Sequence, residues 1–436
     1  MHGLGHVGLV AAACLAHSGH DVLGLDIDQE TVQAVSAGRP TSVEPELEGL
    51  LREGLSSGRL RFAYVDAVVQ TEAELALVCV GTPSLSNGSA DLSSVRSALL
   101  WVLGHEPQVQ AVVMKSTVPP GTGRILEHTI LHEGRVAYVS NPEFLREGHA
   151  VHDWFHPDRI VIGSSNAAAE ARVRALYHDI QAHVVVSDST STEVIKYGAN
   201  AFLAVKVSFI NEIANLCDRV GADIDAVASG IGQDPRIGSS YLRPGLGYGG
   251  SCFPKDVRAL NFLFNANGHN FELLQSVIGV NNRQRLLPML ALREKFGPLH
   301  GIRVAVLGIS FKPETDDTRE APALDLVALL LEEGAEVRVY DPWADVASVL
   351  PSSAIACESA LAALDGAQAA VLATEWQEFV TLDWTDAARR MTPPKLLFDG
   401  RNALDQVKLS ALGFDYRGVG RGRARKLSDL SLRAKG

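Results

Sequence analysis

Gly3-Leu4-Gly5-His6-Val7-Gly8 stands almost at the start of the chain, and Val22-Leu23-Gly24-Leu25-Asp26 follows it. The glycines fit G-x-G-x-x-G, a spacing that permits a tight turn, close approach of backbone to a pyrophosphate and tight packing of helix on strand. The N-terminus of a helix beginning there attracts an anion. Asp26 lies about 20 residues on, at the end of the next apolar strand, where a carboxylate accepts from both ribose hydroxyls and repels a 2′-phosphate. The stretch therefore predicts a dinucleotide-binding α/β unit that prefers NAD to NADP. The same glycines could serve as a plain turn in another α/β protein; Asp26 favours the cofactor site. One part of the pattern is lacking: a strand should precede Gly3, and Met1-His2 is too short to form it.

Outward from that turn, apolar runs alternate with helical periods. Residues 9–18 predict a helix, and Val22–Asp26, Leu75–Val80, Val109–Lys115 and Val136–Ser140 predict strands buried on both faces. Such strands, separated by helices, signal a parallel doubly wound sheet whose ligands bind at the carboxyl ends. From Thr192 to Val220 apolar residues recur at threes and fours without proline, a helix of roughly 40 Å that could join two domains. A second α/β unit follows, with strands at Val304–Gly308, Glu336–Tyr340, Ala369–Ala373 and Leu396–Phe398 and a helix over Ala321–Glu333. The fold class is α/β: two Rossmann-like doubly wound domains joined by a long central helix. The expected boundaries are 1–188 for the dinucleotide-binding domain, 189–290 for the helical connector, 291–420 for the second α/β domain and 421–436 for a basic flexible tail.

The 436 residues carry 46% hydrophobic and 21% charged side chains, a globular composition. Net charge is −12, a poor basis for binding nucleic acid or anionic lipid. No apolar run reaches the ~18 residues of a membrane span, and no secretory signal is expected at the start. Cys14, Cys79, Cys217, Cys252 and Cys357 are widely spaced and form no CxxC pair, which argues against a disulfide framework or structural zinc and for a reducing cytoplasm. The 14 histidines show no metal-site spacing, so no metal is expected.

Cys252 is the sharpest chemical feature. Gly249-Gly250 precede it and Lys255-Asp256 follow, so its backbone is accessible and a cation is near, as a nucleophilic thiolate requires. The other cysteines read as small hydrophobes or, for Cys357, as an ordinary loop residue. Lys196 and Asn200, four apart, share one helix face. Lys196 reads either as a snorkelling surface residue or, with Asn200, as a holder of an oxygen whose charge changes in a reaction. Phe311-Lys312-Pro313 and Arg319 place cations after a strand, suited to a diphosphate; Asp399-Gly400-Arg401 is a similar candidate or a surface loop.

Several motifs together resemble the UDP-glucose 6-dehydrogenase family: Asn141 to Gly148 (NPEFLREG), Glu193 to Ala204, Asp234 to Gly238, Gly249 to Asp256 (GGSCFPKD), Phe311 to Arg319 and Asp399 to Asn402. The resemblance runs from Gly3 to about Arg421. It implies a four-electron oxidation of a sugar-nucleotide primary alcohol, UDP-glucose, to a carboxylate with two NAD⁺. Cys252 would be the nucleophile, carrying a thiohemiacetal and then a thioester. Lys196 and Asn200 match the oxyanion-stabilising groups, Asp256 the proton acceptor with Thr117 beside it, and Glu143 the acid linked to thioester hydrolysis. Gly3, Gly5, Val7, Gly8, Asp26, Thr82, Thr117, Glu147, Lys255 and Arg319 match cofactor positions. Glu143, Phe144 and Leu145, Lys196 and Asn200, Tyr241, Leu242, Arg243, Pro244 and Gly245, Gly249, Lys312 and Arg401 match sugar-nucleotide contacts. Arg236 matches an arginine that reaches a neighbouring subunit, which implies a homodimer, with no nucleic-acid or membrane partner.

Two departures accompany the resemblance. Thr31 stands where the family often has a basic residue near the cofactor, and the family's first strand is reduced here to Met1-His2. The competing readings are a GDP-mannose or UDP-N-acetyl-mannosamine dehydrogenase, and a sugar-nucleotide-binding protein whose catalysis is impaired by the missing strand.

Overall fold

The computed structural model describes residues 1–67, 71–131 and 134–421, so all of the expected basic tail except Arg421 lies outside the described residues. The chain forms two compact units: Met1–Asn200 with Arg258–Asn270, and Ala201–Val257 with the chain from Phe271 onward.

The first unit holds β1 (Val22–Asp26), β2 (Leu60–Tyr64), β3 (Leu75–Val78), β4 (Ala111–Met114), β5 (Ala137–Ser140), β6 (Arg159–Gly163) and β7 (His183–Ser187). β1 pairs with β2 in parallel, and a second sheet runs β3-β4-β5-β6-β7. Its pairs are parallel except β5 with β6, which meet antiparallel at Ser140 and Gly163. β3, β4 and β5 are buried along most of their length, as parallel strands covered on both faces must be.

Between the two sheets stands the start of the chain. His2 bridges in parallel to Leu25 of β1 and to Val78 of β3. The His2 and Gly3 amides donate to Leu77 and Leu25, and the Leu25 and Cys79 amides donate to Met1 and His2. One bridging residue thus does what the sequence pattern assigned to a whole strand, because a residue within a parallel ladder bonds to neighbours on both sides. Upstream of this seam, β1 and β3 part around a cavity of about 450 Å³ lined by Met1, Leu23, Leu75 and Leu77 among others. The Met1 ammonium donates to Leu23 O at 2.8 Å, and burial pushes its pKa down to about 6.

The helix after the glycine turn, His6–His17, is buried from Gly8 to Ala16, which suits a helix covered by neighbouring elements on most sides. The helix Ser189–Val220, 32 residues long, carries the chain from the first unit into the second. It begins three residues before the expected Thr192, where the Asp188 carboxylate accepts from the Ser191 amide at 2.9 Å.

The second unit contains β8 (Arg303–Leu307), β9 (Glu336–Tyr340), β10 (Ile355–Ala356), β11 (Ala369–Leu372), β12 (Leu396–Asp399) and β13 (Asp415–Gly418), with the helix Pro322–Glu332 after β8. All pairs are parallel, in the order β10-β9-β8-β11-β12-β13. The chain reverses its winding between β8 and β11, so the loops after these strands flank the crevice where such sheets bind ligands.

Candidate active site

In the first unit the three motif glycines have separate tasks. Gly3 has φ +89°, and a Cβ there would lie 2.8 Å from the Cys79 carbonyl oxygen. At Gly8 a Cβ would collide with the Gly3 carbonyl, so this glycine lets the helix sit directly on the turn. A Cβ built at Gly5 meets nothing within 4 Å, which leaves the helix N-terminus open to an anion on that side. Val7, half-buried, lies in the helix's first turn. Asp26 accepts from the Leu4 amide at 2.6 Å and the Asp28 amide at 3.0 Å, so the acid expected to face ribose also ties the turn to the end of β1. Thr31 donates to Asp28 at 2.7 Å in the first turn of the helix Gln29–Ser36, a structural use in place of a cofactor-side cation. These residues fit a bound NAD: an open helix end for the diphosphate and an acid for the ribose.

Further along the same unit, Thr82 donates to the Thr117 carbonyl at 2.9 Å, joining the loops after β3 and β4. Glu143, after β5, is buried; its Oε2 accepts from the Leu145 amide at 2.6 Å and its Oε1 from Lys196 Nζ at 3.0 Å. Burial opposes the charge on Glu143, but Lys196 and the Leu145 amide outweigh it and hold the carboxyl below its ordinary pKa. Asn200 is buried one turn beyond Lys196. Lys196 is therefore no snorkelling surface residue. The Phe144 ring lies under the Arg159 guanidinium, 3.7 Å from its centroid, and 5.1 Å from Lys196 Nζ. Glu147 follows in the same segment, whose Gly148 and Ala150 amides donate to the buried Glu44.

In the second unit Cys252 directly precedes the helix Phe253–Ala266, and its carbonyl accepts from the Asp256 amide at 3.0 Å. That is an N-cap position, where a helix's partial positive end favours negative charge developing nearby. Lys255 and the buried Asp256 pair with each other at 2.5 Å. Cys79 and Cys217 have thiol pKa values raised by burial, Cys79 to about 11, which keeps them inert at neutral pH.

The loop before Cys252 is locked to the segment between β8 and the helix Pro322–Glu332. The Gly250 amide donates to Arg319 O at 2.9 Å; a Cβ at Gly249 would collide with the Glu320 carbonyl, and one at Gly250 would lie 2.9 Å from the Phe311 ring. Buried asparagines clamp the loop further back: Gly245 donates to Asn211 at 2.8 Å and Tyr248 to Asn281 at 2.7 Å. Arg285 donates to the carbonyls of both Tyr248 and Glu320. Tyr241 adopts φ +63°, a strained position that opens the run Tyr241-Leu242-Arg243-Pro244-Gly245. At its end, a Cβ on Gly245 would lie 3.4 Å from the Arg401 guanidinium, and Arg401 is held by Glu375 at 2.5 and 3.0 Å. Burial opposes the Glu375 charge, but Arg401 outweighs it and lowers its pKa. Lys312 lies 5.6 Å from the Phe311 ring, and Arg319 pairs with Asp317. Arg236 is exposed and paired with Asp234.

The sequence reading missed Asn211, Asn281, Arg285 and Glu375. Their trace was slight: two asparagines inside apolar helical periods and an acid three residues past β11. Among the described residues no group of His, Cys, Asp and Glu could hold a metal ion, and no helix is long and apolar enough to cross a membrane.

A dinucleotide turn in one unit and a cysteine loop packed against a second α/β domain mark an NAD-dependent dehydrogenase. Residues 1–181, 190–283 and 305–406 match, in turn, the NAD binding, central and UDP binding domains of the UDP-glucose/GDP-mannose dehydrogenase family. The chain belongs to this family. It is 42% identical over 426 residues to the UDP-glucose 6-dehydrogenase YwqF of Bacillus subtilis, covering 96% of each chain. It is 43% identical over 441 residues to a UDP-glucose 6-dehydrogenase of Pseudomonas aeruginosa, covering 97% of each. Among solved structures, a UDP-glucose dehydrogenase from Pyrobaculum islandicum superposes with TM-score 0.88 at 38% identity, covering 96% of both chains.

Proposed function

We propose that this enzyme oxidises C6 of UDP-glucose to the carboxylate, giving UDP-glucuronate, with Cys252 as the covalent nucleophile. The observation that carries the reading is the loop before Cys252, packed on Phe311, Arg319 and Glu320 and, through Gly245, on Arg401: the cysteine loop is built onto the UDP binding domain. NAD, when bound, supplies the hydride acceptor for both oxidations, held by the turn Gly3 to Gly8 and Asp26. Cys252 Sγ adds to the C6 aldehyde to give a thiohemiacetal. Oxidation of that adduct leaves a thioester, which water cleaves to the carboxylate and the free thiol. The covalent link retains the reactive aldehyde between the two oxidations. Lys196 and Asn200 donate to the oxygen that becomes negative, and Asp256, with Thr117 beside it, accepts the proton. Glu143 serves the hydrolytic step. Tyr241 to Gly245, Gly249, Lys312 and Arg401 hold the sugar nucleotide.

The reading is tested by stoichiometry: two NADH per UDP-glucose consumed, none with Cys252→Ala, and a higher kcat/KM for UDP-glucose than for GDP-mannose. One NADH per sugar, or turnover surviving in Cys252→Ala, overturns it.

The working unit in this reading is a homodimer in the cytoplasm, where a reducing environment keeps Cys252 a thiol. Phe202, Phe209 and Leu216, seven apart on the long helix, are 64%, 50% and 53% exposed. Such a seam suits a second copy of the chain. Phe202→Glu/Phe209→Glu is expected to halve the mass measured by sedimentation; an unchanged mass removes the dimer from the proposal.

A further inference from the structure

Lys115 follows β4 and is 2% exposed, yet among the described residues no carboxylate forms an ion pair with it. Its ammonium spends its hydrogen bonds on neutral oxygens: Asn141 O at 3.3 Å, Asn141 Oδ1 at 3.2 Å and Tyr177 OH at 3.1 Å. Trp154 and Tyr177 add ring faces at 5.3 and 5.8 Å. A buried cation without a direct ion pair is costly for a fold, and a methionine of similar length would fill the same space without that cost.

Asn141 is what the cation fixes. Its Oδ1 also accepts from Tyr177 OH at 2.5 Å, its Nδ2 donates to Val161 O at 2.8 Å, and its amide donates to Met114 O at 2.9 Å. Pro142 restricts φ immediately after it, and Glu143 comes next. The turn is therefore held by one lysine at its start, Lys115, and by another at its end, Lys196.

We propose that Lys115 is a positioning residue for Glu143, fixing Asn141 and, with Lys196, keeping Glu143 ionised during thioester hydrolysis. The proposal rests on the hydrolytic role given to Glu143 above. The charged and titratable groups around this carboxylate are Lys196 from the long helix, Lys115 from the end of β4 and Cys79 from the end of β3; Arg159 lies across the Phe144 ring. Field and geometry agree: Lys115 helps to lower the pKa of Glu143 and raises no competing anion beside it.

The test follows a single turnover of the full-length enzyme with UDP-glucose and NAD⁺ at several pH values, using intact mass to follow the Cys252 thioester. Lys115→Met is expected to accumulate the thioester, to slow hydrolysis about 10- to 100-fold with KM for UDP-glucose within about 3-fold, and to move the acid limb of the profile to higher pH. Lys115→Arg, which keeps the charge, is expected to restore the acid limb in part. Tyr177→Phe, which keeps the ring and removes one partner, is expected to give an intermediate effect and serves if Lys115→Met does not fold. A folded Lys115→Met or Tyr177→Phe with wild-type hydrolysis and an unmoved acid limb overturns the proposal. Glu143→Gln separates the two readings. If it hydrolyses normally, the role of Glu143 fails and this proposal with it; if it is slow while Lys115→Met is normal, only this proposal fails.

Discussion

Lys196 Nζ stands 3.0 Å from Glu143 Oε1, with the two side chains only 6% and 7% exposed. Removing one member of a buried pair leaves the other charge without its partner. Lys196→Met is expected to lower kcat about 10²- to 10³-fold, through loss of the proposed oxyanion donor and protonation of Glu143. Because Glu143 has a depressed folded pKa, its share of stability is present above its unfolded pKa and fades as pH falls through the folded value. That acid-side fading should vanish in Lys196→Met. Denaturant unfolding of Lys196→Met, Glu143→Gln and the double variant should give a coupling of about 1–3 kcal/mol; simple additivity would contradict the pairing.

Asp26 both anchors the glycine turn, through the Leu4 amide, and stands where ribose hydroxyls are expected. Asp26→Asn should weaken NAD binding about 10- to 100-fold by calorimetric titration, the loss of a charged hydrogen-bond acceptor. Discrimination against NADP should fall at the same time. A variant with unchanged NAD affinity would show that the carboxylate serves the turn alone.

Gly249 has no room for a methyl group, since its Cβ would collide with the Glu320 carbonyl. Gly249→Ala should displace the loop that carries Cys252, and a shift of about 1 Å costs roughly 10²-fold in rate. Steady-state kinetics should show the fall in kcat. The glycine turn and Asp26, in the other unit, should be untouched, so NAD affinity should fall far less than kcat.

Glu193 is buried against the amides of Gly121 and Gly123, at 2.6 and 2.8 Å, and the Tyr138 hydroxyl at 3.1 Å. Burial pushes its pKa up to about 6 from the ordinary 4.5, the hydrogen bonds offsetting only part of that. Below its unfolded pKa the shift costs nothing; as pH rises from 4.5 to 6 the folded state is penalised, by about 2 kcal/mol at pH 7. Glu193→Gln should remove this dependence. The drop in Tm between pH 4.5 and pH 7 should be smaller in the variant by about 4 °C or more, and equal slopes would refute the assignment.

The apolar runs were plain in the sequence: β1, β3, β4, β5, β8, β9, β11 and β12 lie within a residue or two of the expected positions. Missed were β2, β6, β7, β10 and β13. β2 and β7 have mostly exposed or half-exposed side chains, and β10 and β13 lie at sheet edges, where apolar runs thin out. Cys252 and the glycine turn were legible because their residue types are tied to their chemistry. The partners of Asp26 were not, since a backbone N–H has no letter in a sequence. Lys196 carried two readings until its burial and its pairing with Glu143, 53 residues earlier, excluded the surface one. Glu375 was invisible for the same reason, its arginine lying 26 residues away.

The seam made by Met1, His2 and Gly3 leads directly into the turn where the dinucleotide is expected. A molecule bound at the turn would add its binding energy to the element that begins at the joint between the two sheets. Folding of this unit and its cofactor occupancy are therefore a single linked equilibrium, in which a ligand at about 100 times its Kd adds about 2.7 kcal/mol to the folded state. Dinucleotide at such a concentration would then protect the fold of this unit as well as feed its chemistry.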